Sequence, residues 1–144
     1  MNIRSLFLLV LLLTPEWVLA LSDHYVCIVR QIVMLDDAGS LKDATGDSVK
    51  ASLYKPFLGK TFAVNRSTGK IDGGLNFITT TEFETVTVIS DGREQNEFRV
   101  VSVGRPPTSV TTFLYIRETA KSEDKPFMLL DSSFWKLTFS GTCK

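Results

Sequence analysis

Val110-Thr111-Thr112-Phe113-Leu114-Tyr115-Ile116-Arg117 decides the fold class. Side chains along an extended chain point alternately to opposite faces. Val110, Thr112, Leu114 and Ile116 therefore share one face, and Thr111, Phe113, Tyr115 and Arg117 the other. β-branched and aromatic residues dominate both faces, and these lose rotamer freedom in a helix but fit a pleated sheet. The octapeptide reads as a strand.

The same texture extends outward on both sides. Before it lie Thr85-Val86-Thr87-Val88-Ile89, a turn at Asp91-Gly92, then Phe98-Arg99-Val100-Val101-Ser102-Val103 and the breaker Gly104-Arg105-Pro106-Pro107. After it, the charged loop Lys121 to Lys125 leads to Pro126-Phe127-Met128-Leu129-Leu130. Asp131-Ser132-Ser133 then turns the chain into a last strand, Phe134 to Phe139, in which Trp135, Leu137 and Phe139 share a face. That sharing predicts a buried Trp135; the competing reading is an exposed aromatic that stacks on a glycan or protein partner. Further upstream, Thr61 to Asn65 is a short strand, Arg66-Ser67-Thr68-Gly69 a turn, and Lys70 to Gly73 its return. Tyr25 to Leu35 alternates only loosely, with Arg30 and Gln31 interrupting, so helix stays open there. Residues 36–60 are mixed and polar. Asp43–Ala51 is expected as a short helix, and Pro56 favours an extended stretch after it.

The sum is an all-β domain, an antiparallel meander of about eight strands. It is expected to close as a small barrel or fold over as a sandwich, because open sheet edges invite association.

The first twenty residues read differently. Arg4 precedes an apolar run, Leu6 to Leu13, broken by Thr14-Pro15-Glu16, and Val18-Leu19-Ala20 supplies a cleavage pattern. A run of eight is far short of the roughly 20 residues that span a bilayer. Residues 1–20 are read as a secretory signal peptide cleaved after Ala20, and residues 21–144 as one β-rich domain without a transmembrane anchor. Export predicts a periplasmic or secreted protein. It also gives meaning to Cys27 and Cys143, the chain's two cysteines. In an oxidising compartment only one intramolecular pairing is open to them. That bond would close nearly all of the domain into one loop, a constraint of about 4–5 kcal/mol on the chain-entropy model. It requires Cα atoms within about 7 Å, which adjacent first and last strands would supply.

Candidate chemistry is sparse. Lys+Arg and Asp+Glu both number 16, a zero net charge that argues against a general nucleic-acid binder. His24 is the single histidine, too little for zinc alongside two bridged cysteines. Asp36, Asp37, Asp43 and Asp47 lack calcium-loop spacing and the closing Glu. Glu82 and Glu84 share a strand face, which a solvated edge explains. Asn65-Arg66-Ser67 matches a glycosylation sequon. No catalytic, metal or cofactor residues are expected. Arg66 has three readings: an anchor for its own turn, a partner of Asp72 across the hairpin, or a receptor for a ligand carboxylate.

The run Phe62-Ala63-Val64-Asn65-Arg66-Ser67-Thr68-Gly69-Lys70-Ile71-Asp72-Gly73 has the form F-x-V-[DN]-R-x-T-G-x-I-x-G. With Leu35 to Lys42, Phe98-Arg99-Val100-Val101, Lys125-Pro126-Phe127 and the terminal Ser140-Gly141-Thr142-Cys143, the chain resembles a group of small exported proteins of Gram-negative bacteria. The resemblance implies a periplasmic or secreted β-rich domain with a terminal cysteine bridge, and brings no catalytic residues. The functional expectation is a non-catalytic binding or interaction module of the bacterial envelope, its partner an envelope protein or a glycan. The alternative is a small lipocalin-like barrel carrying an apolar ligand in its interior. A cavity of about 300 Å³ or more would mark the carrier.

Overall fold

The computed structural model describes residues 23–46, 51–75, 83–93, 97–107, 110–133 and 136–144. Among these, nine antiparallel strands form one sheet: β1 (His24–Leu35), β2 (Leu41–Asp43), β3 (Thr61–Asn65), β4 (Ile71–Gly73), β5 (Phe83–Asp91), β6 (Phe98–Gly104), β7 (Thr111–Ile116), β8 (Lys125–Asp131) and β9 (Leu137–Cys143). The spatial order is β4-β3-β1-β9-β8-β7-β6-β5, with β2 on the far end of β1. There is no second sheet among the described residues, so the sandwich is not the outcome.

The first and last strands are neighbours, as the cysteines require. Cys27 stands directly opposite Cys143 in the β1–β9 ladder. The disulfide joins them across 116 positions of sequence with their Cα atoms 3.9 Å apart. Both are fully buried. The sheet nevertheless curls into a half-barrel rather than closing fully. Its free edges are β4 and β5, which are consecutive in sequence; among the described residues no ladder joins them.

Inward side chains fill the concave face in rows set by the register. Ile32, Phe139, Leu129, Leu114, Val100 and Val88 form one row from β1 to β5. The first five are at most 1% exposed, and Phe62, Phe98 and Ile116 pack beside them just as deeply. Phe62 meets Phe127 edge-on at 5.2 Å, and Phe139 meets Phe57 edge-on at 6.3 Å. A neighbouring row is polar: Ser102, Thr112 and Asp131, all under 5% exposed, lie side by side on β6, β7 and β8. Asp131 turns its carboxylate to Ser133, accepting from the backbone N–H at 3.0 Å and the hydroxyl at 2.6 Å. That fixes the bend after β8.

The loose alternation of β1 has a local cause. Tyr25, Cys27 and Val29 are buried, then Ile32. A bulge at Arg30 inserts one residue, so the ladder passes from Val29–Gly141 to Gln31–Ser140. A bulge shifts the face assignment by one and makes a strand look irregular in sequence. Helix is therefore excluded for this segment.

Three boundaries differ from expectation. The short helix is one turn, Ala51–Tyr54, and residues 44–46 before it are not helical; residues 47–50 lie outside the described set. Pro56 sits in a 3₁₀ turn, Lys55–Phe57, rather than an extended stretch; its missing N–H would be unpaired in a first turn anyway. The last strand starts at Leu137, not Phe134. Lys136 has φ of 47°, a left-handed conformation that belongs to the turn, and its N–H donates to the Ser133 carbonyl.

Candidate functional site

Beside the gap, the turn between β3 and β4 packs against β5 and β6. Asn65 builds that turn. Its Oδ1 accepts from the N–H groups of Ser67 and Thr68 and from the Thr68 hydroxyl, at 2.8–3.0 Å. Its carbonyl accepts from Gly69 N–H at 2.8 Å. Gly69 adopts φ of 71°, which only glycine reaches without strain. A Cβ there would lie 2.7 Å from a Val100 methyl and 3.1 Å from a Val86 methyl, so the turn rests directly on the inner valines of β5 and β6.

Arg66 leaves the same turn toward the interior. Its guanidinium lies 3.1 Å from the Glu118 carboxylate, with both side chains about 85% covered. It also stacks over the Tyr25 ring, 4.5 Å from the centroid. The Tyr25 hydroxyl donates to Glu118 Oε1 as well. Gly92 closes the cluster, since a Cβ on it would come within 2.9 Å of both the Tyr25 hydroxyl and Glu118 Cγ. One carboxylate thus takes a cation from the β3–β4 turn and a phenol from β1. Burial raises the Tyr25 phenol well above its ordinary pKa of about 10; its hydrogen bond to Glu118 and that residue's negative charge push the same way.

Of the three readings of Arg66, pairing with Asp72 is not observed: Asp72 lies 3.3 Å from Lys70 instead. Arg66 is an anchor, but across the gap to Glu118 rather than within its own hairpin. Its backbone N–H donates to the Asp23 carbonyl. Trp135 lies outside the described residues. His24 is exposed at the start of β1, its Nε2 3.2 Å from Asn65 Nδ2. Asp36 and Asp43 cap turns. Asp36 Oδ1 accepts from Ala38 and Ser40 while Oδ2 pairs with Lys42 at 2.7 Å, and Asp43 accepts from Thr45. Asp47 and Glu82 lie outside the described residues; Glu84 is exposed on β5. Sequence reading missed Tyr25 and Glu118 as partners of Arg66. Tyr25 lies in a segment whose loose alternation left its facing open, and nothing in the loop after β7 marks Glu118.

Two surfaces are open. On the convex face, a groove of about 280 Å³ runs over β1, with Val26 and Ile28 as its floor and Thr61, Thr142, Arg30 and Lys144 around it. At the edge, β5 presents nine residues that pair with β6 alone among the described residues. Its ladder is interrupted near Glu84 and Ile89, leaving Thr85 to Val88 as the regular stretch. Val86 is 38% and Ile89 58% exposed.

The chain matches no protein-family model, no curated protein and no solved structure.

Proposed function

We propose that the protein is a non-catalytic binding module of the bacterial envelope, and that its binding element is the open edge of β5. The observation that carries this reading is an edge strand of nine residues whose inner side chains remain partly uncovered at the gap in the half-barrel. Such an edge is a template for an extended segment, which gains affinity from main-chain hydrogen bonds and specificity from alternate side chains. Val86 and Val88 on the inner face call for apolar residues at alternate positions. Exposed Glu84 calls for a basic residue near one end. The partner is therefore an extended protein segment rather than a glycan. The lipocalin-like alternative is disfavoured by the interior row of Ile32, Phe139, Leu129, Leu114 and Val100, which occupies the space a ligand would need.

The location belongs to the same proposal. Residues 1–20 direct export, cleavage follows Ala20, and the protein works in the periplasm or outside the cell. The Cys27–Cys143 bond is compatible with an oxidising compartment, and the resemblance to small exported Gram-negative proteins points the same way. No helix among the described residues is long and apolar enough to cross a membrane. Exported material should begin at Leu21 on N-terminal sequencing; a product that retains Trp17 overturns the export reading.

Peptides selected from a random library on oxidised protein test the edge. Alternating apolar peptides that slow amide exchange along residues 83–91 support it. Protection confined to the groove over Val26 and Ile28 overturns it, and so does a fatty acid retained one-to-one.

A further inference from the structure

The gap between β4 and β5 is bridged by side chains where a closed barrel would use a ladder. From the β3–β4 turn Arg66 reaches Glu118 at 3.1 Å and Gly69 lies on Val86 and Val100, while Tyr25 on β1 holds the same carboxylate in place for Arg66. Val86 is in the middle of the regular stretch of β5, so a segment pairing with Thr85 to Val88 meets the seated turn. We propose that the Tyr25–Arg66–Glu118 cluster is a clasp that gates the β5 edge: the turn must lift from Val86 before a partner strand can be accepted. This rests on the reading of β5 as the binding edge.

The physical case is the contrast between the two kinds of contact. Among the described residues, no backbone hydrogen bond ties the β3–β4 turn to β5, β6 or the loop carrying Glu118. Within its own hairpin the turn is held by the β3–β4 ladder and by Asn65. It can therefore swing about the Arg66 N–H bond to the Asp23 carbonyl, giving up the Arg66–Glu118 ion pair, the stacking of Arg66 on Tyr25 and the packing of Gly69, with no strand unravelled. Those contacts are discrete, so seated and lifted positions are two states and not a continuum.

Two variants test the clasp. Glu118→Gln removes the charge that holds Arg66, and Tyr25→Phe removes only the hydroxyl while keeping the ring in the core. The turn's position is read by proton–proton contacts between Gly69 and the methyls of Val86 and Val100. Access is read by the association rate of a peptide selected on the wild-type protein. In Glu118→Gln the contacts should fade and association should rise about tenfold, as the competent fraction grows; Tyr25→Phe should change both in the same direction by less. Amide protection at Leu114 and Leu129 should fall only as far as each variant's global stability does. Unchanged Gly69 contacts and association overturn the clasp. So do Gly69 contacts that persist while core protection falls, which would make the cluster a plain structural staple. If the contacts fade but no peptide protects β5 in any variant, the clasp stands and the binding edge falls.

Discussion

Glu118 carries an unusual load for a residue in a loop, because two groups from distant parts of the chain depend on its one carboxylate. Removing a single partner of a mostly buried ion pair leaves the other charge desolvated and unpaired, which costs more than the pair contributes. Arg66→Ala should lower stability by about 3 kcal/mol in urea titration. Substituting Lys70, whose bond to Asp72 is exposed, should change it by less than about 1 kcal/mol. Tyr25 gives the cluster an alkaline signature. Its folded-state pKa is raised, so the unfolded chain releases the phenolic proton first as pH climbs. The associated stability is complete below about pH 10 and falls as pH rises beyond it. Urea midpoints measured on either side of that pH should show the decline in the wild-type protein and a flatter profile in Tyr25→Phe. On the acid side Glu97 behaves oppositely. The Thr119 hydroxyl donates to it at 2.6 Å and lowers its pKa, so its contribution is present at neutral pH and lost as pH falls below about 4. Glu97→Gln should weaken that acid dependence.

The bulge in β1 and the glycine opposite it are a single device shared by two strands. A Cβ on Gly141 would run into the Ile28 carbonyl oxygen and come within 3.0 Å of the Arg30 backbone nitrogen. Backbone cannot swing aside as a flexible side chain can. Gly141→Ala should therefore destabilise by about 3 kcal/mol, at the upper end for overpacking, while Gly39→Ala, with open space around it, should cost less. Calorimetry of the two variants checks the order. The same device explains what the sequence does and does not reveal about the elements. β6 to β8 were legible almost to the residue, since their alternation is unbroken and their turns carry Gly, Pro or Asp. β1 was ambiguous because the extra residue at Arg30 moves the apolar set from odd to even positions, and nothing local marks that shift. The start of the last strand at Leu137 was not legible, because the left-handed backbone of Lys136 before it has no signature in lysine. Gly69 was legible as a turn residue, whereas Asn65, rightly read as the end of its strand, was not read as the residue that builds the turn. The destination of Arg66 was not legible, since it depends on a contact between residues 52 positions apart in sequence.

At the scale of the molecule, the cysteines predicted which strands are neighbours, and that part of the topology holds. The place where the sheet stays open was not legible. Consecutive strands usually lie side by side, yet β4 and β5 are the two edges. Breaking the Cys27–Cys143 bond should cost roughly 2–5 kcal/mol, because the unfolded chain regains the freedom of a loop closed across 116 positions. Thermal melts with and without reductant measure it; a melting temperature unchanged on full reduction would contradict the constraint. The bond also decides how the protein answers to force. Tension applied through the chain before Cys27 and after Cys143 passes straight across the sulfur bridge, and the other seven strands carry none of it. Pulled from its flanks the domain should act as an almost inextensible link, lengthening by a few residues until reductant cuts the bridge and the whole loop pays out. A protein built this way can bear tension between its two ends while the sheet between them remains mechanically undisturbed.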